Sequence, residues 1–112
     1  QNEMKKQGRP WCIGKAFDES APIGPITRKE QAGDIDQAEI SLQVNGSDRQ
    51  RSTISKLIWN VAETIEHLST AWELQPGDLI YTGTPEGVSA VVQGDRLVGQ
   101  VTGLVSLNID IR

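Results

Sequence analysis

Polar and apolar residues alternate from Glu39 to Val44, which puts Ile40, Leu42 and Val44 on one face; a period of two predicts a half-buried strand. Asn45-Gly46 follows at once. That dipeptide favours a two-residue turn with positive φ, so the chain is expected to fold back as a hairpin through Ser47–Arg51. The period then lengthens. Ile54, Leu57, Ile58, Val61, Ile65 and Leu68 fall at helical spacing, one stripe across roughly four turns, with Ser52-Thr53 able to cap its start. The opposite face carries Lys56, Asn60, Glu63 and His67, and the single histidine reads there as a solvated residue rather than a catalytic base.

Further along, Gln75-Pro76-Gly77-Asp78 leads into the apolar run Leu79-Ile80-Tyr81-Thr82, and Gln93-Gly94-Asp95 leads into Arg96-Leu97-Val98. Gly tolerates positive φ and Asp bonds its own backbone, so both are turns ahead of short strands. Gln100–Val105 and Leu107–Ile111 alternate and are predicted as closing strands. At the other end, residues 1–8 read as the tail of a helix stopped by Gly8 and Pro10. Residues 9–26 hold Pro10, Gly14, Pro22, Gly24 and Pro25, punctuation that suits a long shaped loop. The elements add up to an α+β, β-rich domain with one main helix.

At 112 residues the chain is one domain or a piece of one. It opens at Gln1 within a charged helical pattern, so it is taken as the later part of a longer protein. The net charge is −4 and the basic residues are scattered, with no basic stripe beside aromatics to bind nucleic acid. No apolar run approaches a membrane span, and no leader pattern opens the chain. Cys12 is the only cysteine, which rules out an internal disulfide; lacking a base partner, it is expected as buried packing. Together these features suit a cytoplasmic protein. Asn45-Gly46-Ser47 has the form of a glycosylation acceptor, but the hairpin turn already accounts for it.

Three stretches could carry chemistry. In Trp11-Cys12-Ile13-Gly14-Lys15-Ala16-Phe17-Asp18, Gly14 removes bulk beside Lys15, and Trp11 and Phe17 could wall a pocket around its ammonium. A lysine so placed binds a carboxylate or stabilises an oxyanion, although an ordinary exposed lysine is the commoner case. In Tyr81-Thr82-Gly83-Thr84-Pro85-Glu86-Gly87-Val88, Gly83 permits close approach of backbone to ligand and two hydroxyls flank it, which suits an anion; a plain strand-to-turn junction fits equally. Asp34, Asp36 and Glu39 could in principle hold a cation, but their spacing matches no calcium loop and a solvated turn is the commoner arrangement.

Taken in order, these stretches resemble the fumarylacetoacetate hydrolase family. Gly14-Lys15-Ala16-Phe17-Asp18 with Ala21-Pro22-Ile23-Gly24-Pro25 is similar to its lysine loop. Val44-Asn45-Gly46 with Arg49-Gln50, then Ser55-Lys56-Leu57-Ile58-Trp59, resembles its hairpin and helix. The run from Leu74 to Val88, with Pro76-Gly77-Asp78 and Thr82-Gly83-Thr84-Pro85, is the most specific match; Gly94-Asp95 is a weaker one. Within the family, Arg9-Pro10-Trp11 and Ala21–Pro25 look most like members acting on fumarylpyruvate in the gentisate pathway.

The resemblance implies the family's fold of layered mixed β-sheets, with residues 1–112 as the C-terminal portion of one catalytic domain. It implies a hydrolase that splits the C–C bond of an acylpyruvate into pyruvate and a carboxylic acid, using Mg²⁺ or Mn²⁺ as Lewis acid. The metal would be held by a Glu-x-Glu pair and an Asp, all upstream of this segment, and the lid that activates water would lie there too. Lys15 would stabilise negative charge on the substrate, Thr84 with the Gly83 backbone would hold the pyruvyl carboxylate, and Gln1 would touch substrate oxygens. A homodimer, completed by the N-terminal half of the same protein, is the assembly implied. Oxaloacetate decarboxylation or keto–enol tautomerisation on the same scaffold is the alternative, and a non-catalytic binding or assembly module a further one. Two positions depart from the family pattern: Ser89 where Gly is common, and Leu57 where Met is commoner, in the helix expected at a dimer interface.

Overall fold

The alternating segment forms strand β1 (Glu39–Val44), and the Asn-Gly turn returns it as β2 (Ser47–Thr53). Asn45 and Gly46 both take positive φ, 51° and 82°, the twist that joins two antiparallel strands through two residues. The computed structural model describes residues 2–112, with all their side chains except that of Ile13. Strands β3 (Arg96–Val101) and β4 (Leu107–Asp110) complete one antiparallel sheet in the order β2-β1-β3-β4. The α+β expectation holds. Short helices α1 (Asn2–Lys6) and α2 (Lys29–Ala32) precede the sheet, and the main helix α3 (Val61–Ser69) follows the hairpin.

The turns behave as their residues require. Gly8 sits at φ 63° while its N–H reaches Lys5 O and the Arg9 N–H reaches Met4 O, the paired bonds that close a helix at glycine. Both Gly-Asp turns are built alike. The Asp78 N–H donates to Gln75 O while its carboxylate accepts from the Gln75 N–H at 2.8 Å; Asp95 does the same with Val92. Asn45 ties the second turn to the hairpin: its amide donates to Asp95 Oδ1 at 2.8 Å and accepts from the Arg96 N–H at 2.9 Å. The Val92 N–H, and then the Asn45 amide, hold the Asp95 carboxyl below the usual carboxylate value.

Four sequence expectations need correction. The helix does not begin at Ser52-Thr53, which belong to β2; it begins at Val61. Asn60 is extended (φ −68°, ψ 173°), its side chain accepts the Glu63 N–H at 2.8 Å, and Glu63 Oε2 accepts the Asn60 N–H at 2.9 Å. This reciprocal cap satisfies two orphan donors, which a helix running through Asn60 would forfeit. Upstream, Ile54–Lys56 is a single 3₁₀ turn, Leu57 is extended, and Ile58 stands 97% exposed, so half of the apparent stripe lies outside any long helix. The strand predicted over Gln100–Val105 ends at Val101, because Gly103 (φ 88°) turns the chain against the Ala32 carbonyl. Leu79–Thr82 forms no strand among the described residues. The long loop over residues 9–26 contains one 3₁₀ turn, Cys12–Gly14, and Cys12 is exposed rather than packed.

Candidate functional site

A β-bulge organises the site. In the β1–β2 ladder Leu42 faces Gln50 and Gln43 faces Asp48, which leaves Arg49 without a partner. Two consecutive strand residues ordinarily point to opposite faces, but the extra residue twists β2 so that Arg49 and Gln50 both address the loop after Tyr81. Gln50 Nε2 donates to Thr84 Oγ1 at 2.9 Å, to Pro85 O at 2.7 Å and to Glu86 O at 3.3 Å. Arg49 Nη1 donates to Ser89 Oγ at 2.5 Å and to Ala90 O at 3.4 Å. The departure at Ser89 therefore adds an anchor to this loop. Gly87, at φ 99°, lies against the Arg49 carbonyl, where a Cβ would collide.

The loop pinned in this way separates two cavities. One, of about 300 Å³, runs between the Thr82–Pro85 backbone, the 3₁₀ turn at Ile54 and the start of α3 at Val61. The other, of about 530 Å³, lies over Ser41, Gln50 and Gln100 of the sheet and under Ala21 and Tyr81. Thr84, Pro85 and Ile40 line both. Thr84 and Gly83 lie at a cavity wall, with Gly83 at φ 94° opening the backbone there.

Lys15 lines neither cavity. Its Nζ lies 5.5 Å from the centroid of the Trp11 ring, which also takes Lys5 Nζ at 4.8 Å; a cation held over an indole face gains electrostatically. Phe17 is 65% exposed and does not enclose the ammonium. The lysine loop reaches the Thr84 corner further along, where Tyr81 Oη donates to Ala21 O at 3.1 Å and Ser20, Ala21 and Pro22 line the larger cavity. Gln1 lies outside the described residues. His67 is exposed and packs on Trp59, ring centroids 4.5 Å apart.

The donors at the corner are hydroxyls, amides and peptide groups, not carboxylates. Among the described residues, no three His, Cys, Asp or Glu side chains gather as a metal site would require. The residues present do not by themselves fit a divalent cation. Nor does any described helix have the length and apolarity to cross a membrane.

Residues 1–112 match the family described as fumarylacetoacetate (FAA) hydrolase C-terminal. The chain belongs to that family. Fumarylpyruvate hydrolase of Ralstonia sp. is 48% identical over 107 residues, 96% of this chain and 55% of that protein. The mitochondrial oxaloacetate tautomerase FAHD1 of Rattus norvegicus is 37% identical over 111 residues, 99% of this chain and 50% of that protein. Fumarylpyruvate hydrolase from Pseudomonas aeruginosa, solved in complex with Mn²⁺ and pyruvate, superposes with a TM-score of 0.91 at 57% identity, covering 99% of this chain and 48% of that one. The chain spans about half the length of the curated relatives it matches. Gln50, which sequence reasoning passed over, joins the candidate site through Thr84; the Arg49-Gln50 pair is visible in the hairpin motif, but the bulge that aims it is not.

Proposed function

We propose that this segment supplies the carboxylate-binding corner of an enzyme that hydrolyses an acylpyruvate such as fumarylpyruvate to pyruvate and a carboxylic acid. The observation that carries the reading is the Thr82-Gly83-Thr84-Pro85 loop, pinned by Gln50 at the wall of two cavities. A relative solved with Mn²⁺ and pyruvate supports it. The reaction adds water to the acyl carbonyl. Its oxygen becomes the new carboxylic acid, the bond from acyl carbon to methylene breaks, and the electron pair leaves on the methylene as pyruvate enolate, which then takes a proton. A divalent cation belongs to this reading, Mg²⁺ or Mn²⁺, with ligands from polypeptide outside these residues.

The chain's own part is to bind and orient. The Thr84 hydroxyl and the peptide N–H groups beside Gly83 hold the pyruvyl carboxylate, which fixes the scissile bond relative to the attacking water. Lys15, although it lies outside both cavities in this segment, is assigned the cation for the developing charge through the loop whose Ser20–Pro22 stretch lines the larger cavity, with Gln1 as a further contact. Full-length protein incubated with fumarylpyruvate and Mg²⁺ or Mn²⁺ should consume the diketo absorbance and release pyruvate. Lys15→Ala should lower the rate by about 100- to 1000-fold. Absence of turnover in the wild type, or an unchanged rate in Lys15→Ala, would overturn the assignment. The rat tautomerase relative favours a second reading, keto–enol exchange on oxaloacetate. Product analysis separates the two, because tautomerisation releases no second acid.

A further inference from the structure

A hydroxyl can donate once and accept twice, so which end of Thr84 faces a ligand is a question of hydrogen-bond direction. The Gln50 amide answers it. One end of that amide lies 2.7 Å from Pro85 O and 3.3 Å from Glu86 O. Peptide carbonyls only accept, so this end must be the nitrogen. The same nitrogen is 2.9 Å from Thr84 Oγ1, so the threonine oxygen accepts an N–H there. Its own proton cannot point back at the NH₂ group and is turned away from β2. The N–H it accepts also polarises the O–H, because linked hydrogen bonds strengthen one another.

We propose that Gln50 is a positioning residue that fixes Thr84 as a hydrogen-bond donor, giving the corner its preference for an accepting group such as a carboxylate over a donating one. The inference rests on the reading of this corner as the pyruvyl carboxylate site. Gln50 touches no substrate in this scheme; it acts through Thr84. An apolar replacement frees the hydroxyl to turn toward Pro85 O or Glu86 O. A carboxylate at position 50 would take the threonine proton itself and present oxygen lone pairs to the ligand.

Pyruvate binding to the full-length, Mn²⁺-loaded protein by titration calorimetry tests this. Gln50→Leu and Thr84→Val should each weaken binding by roughly 10- to 100-fold, the worth of a hydrogen bond to a charged group. The double variant should bind no worse than Thr84→Val alone. Multiplying penalties would mean that Gln50 acts independently of Thr84, and an unchanged Gln50→Leu would mean that it does not act at all; either overturns the proposal and leaves the assignment of the corner standing. Gln50→Glu keeps the shape and guards against misfolding. Its affinity relative to wild type should be low at neutral pH and recover in acid, where the protonated carboxyl donates again. Arg49, Glu86, Lys56 and Tyr81, ionisable groups around the corner, are present in both proteins and cancel in the ratio. A flat ratio overturns the proposal. Wild type that binds no pyruvate defeats the reading of the corner, and the inference with it.

Discussion

Replacing Gly87 by alanine tests whether the Thr82–Ala90 loop is truly seated on β2. Two effects oppose the added methyl group. The backbone stands at φ 99°, where an L side chain is strained by about 1–3 kcal/mol. The new Cβ would also meet the Arg49 carbonyl and come within 3.3 Å of Gln50 Cγ. A backbone oxygen has no rotamer to swing, so the loop must lift, and such overpacking costs about 1–3 kcal/mol more. Gly83→Ala is the matched control. Its φ is 94°, nearly the same, but a Cβ there meets nothing within 4 Å, so only the backbone cost of about 1–3 kcal/mol applies. Urea unfolding of the two full-length variants, compared at equal m value, subtracts the shared strain and leaves the collision. Gly87→Ala should be the less stable and should also lose pyruvate affinity, because lifting the loop breaks the Gln50 bonds to Thr84 and Pro85. Equal midpoints for the two variants would refute the seating.

Three other outcomes are expected. Asn60→Ala removes the reciprocal cap of α3 and should cost about 0.5–2 kcal/mol in urea unfolding, whereas Asn60→Asp should retain most of it. Asn45→Gly keeps the positive φ but loses the side-chain bonds to Asp95 and Arg96, so it should lower the urea midpoint. In acid, Asp48 and Asp95 should matter. Bonds from Arg51 and then Gln43 lower Asp48, and bonds from Val92 and then Asn45 lower Asp95, each from 3.8. A depressed folded value means stabilisation present above the unfolded pKa and lost as pH falls through the folded one, so the loss belongs below about pH 4. Asp48→Asn and Asp95→Asn should each flatten that acid limb of a denaturation midpoint followed against pH.

What the chain discloses before folding is what local chemistry decides. Asn45-Gly46 and the two Gly-Asp turns form as expected because each is closed by atoms within four residues of one another. The start of α3 was misplaced because periodicity counts apolar residues, while a helix begins where a side chain can take up the first free N–H groups; Asn60 with Glu63 three residues on was the signal that outranked the stripe. Thr84 was legible as a hydroxyl beside a glycine. Gln50 was not, since its role depends on a bulge one residue earlier and on a loop more than thirty residues away. Lys15 shows the opposite failure: its neighbours suggested an aromatic enclosure, but only Trp11 takes it up and the ammonium stays outside both cavities.

The apolar run at Leu79–Tyr81 belongs to a wider pattern. Folded monomers of this mass expose about 6,000 Å²; this chain exposes 9179 Å². Its buried apolar residues are Ala32, Ala38 and Val44, all small, and no large side chain is fully buried among the described residues. Ile58, Trp59, Val61, Ile65, Trp72 and Tyr81 are exposed along α3 and its flanks. A strand is defined by its pairing and a core by its cover, so a run such as Leu79-Ile80-Tyr81 can have strand composition and still pair with nothing in these residues. The Thr84 corner escapes this dependence. Its bulge, its glycines and the Gln50 bonds all lie within the segment, so the geometry that orients Thr84 is set locally even where the walls around it are not.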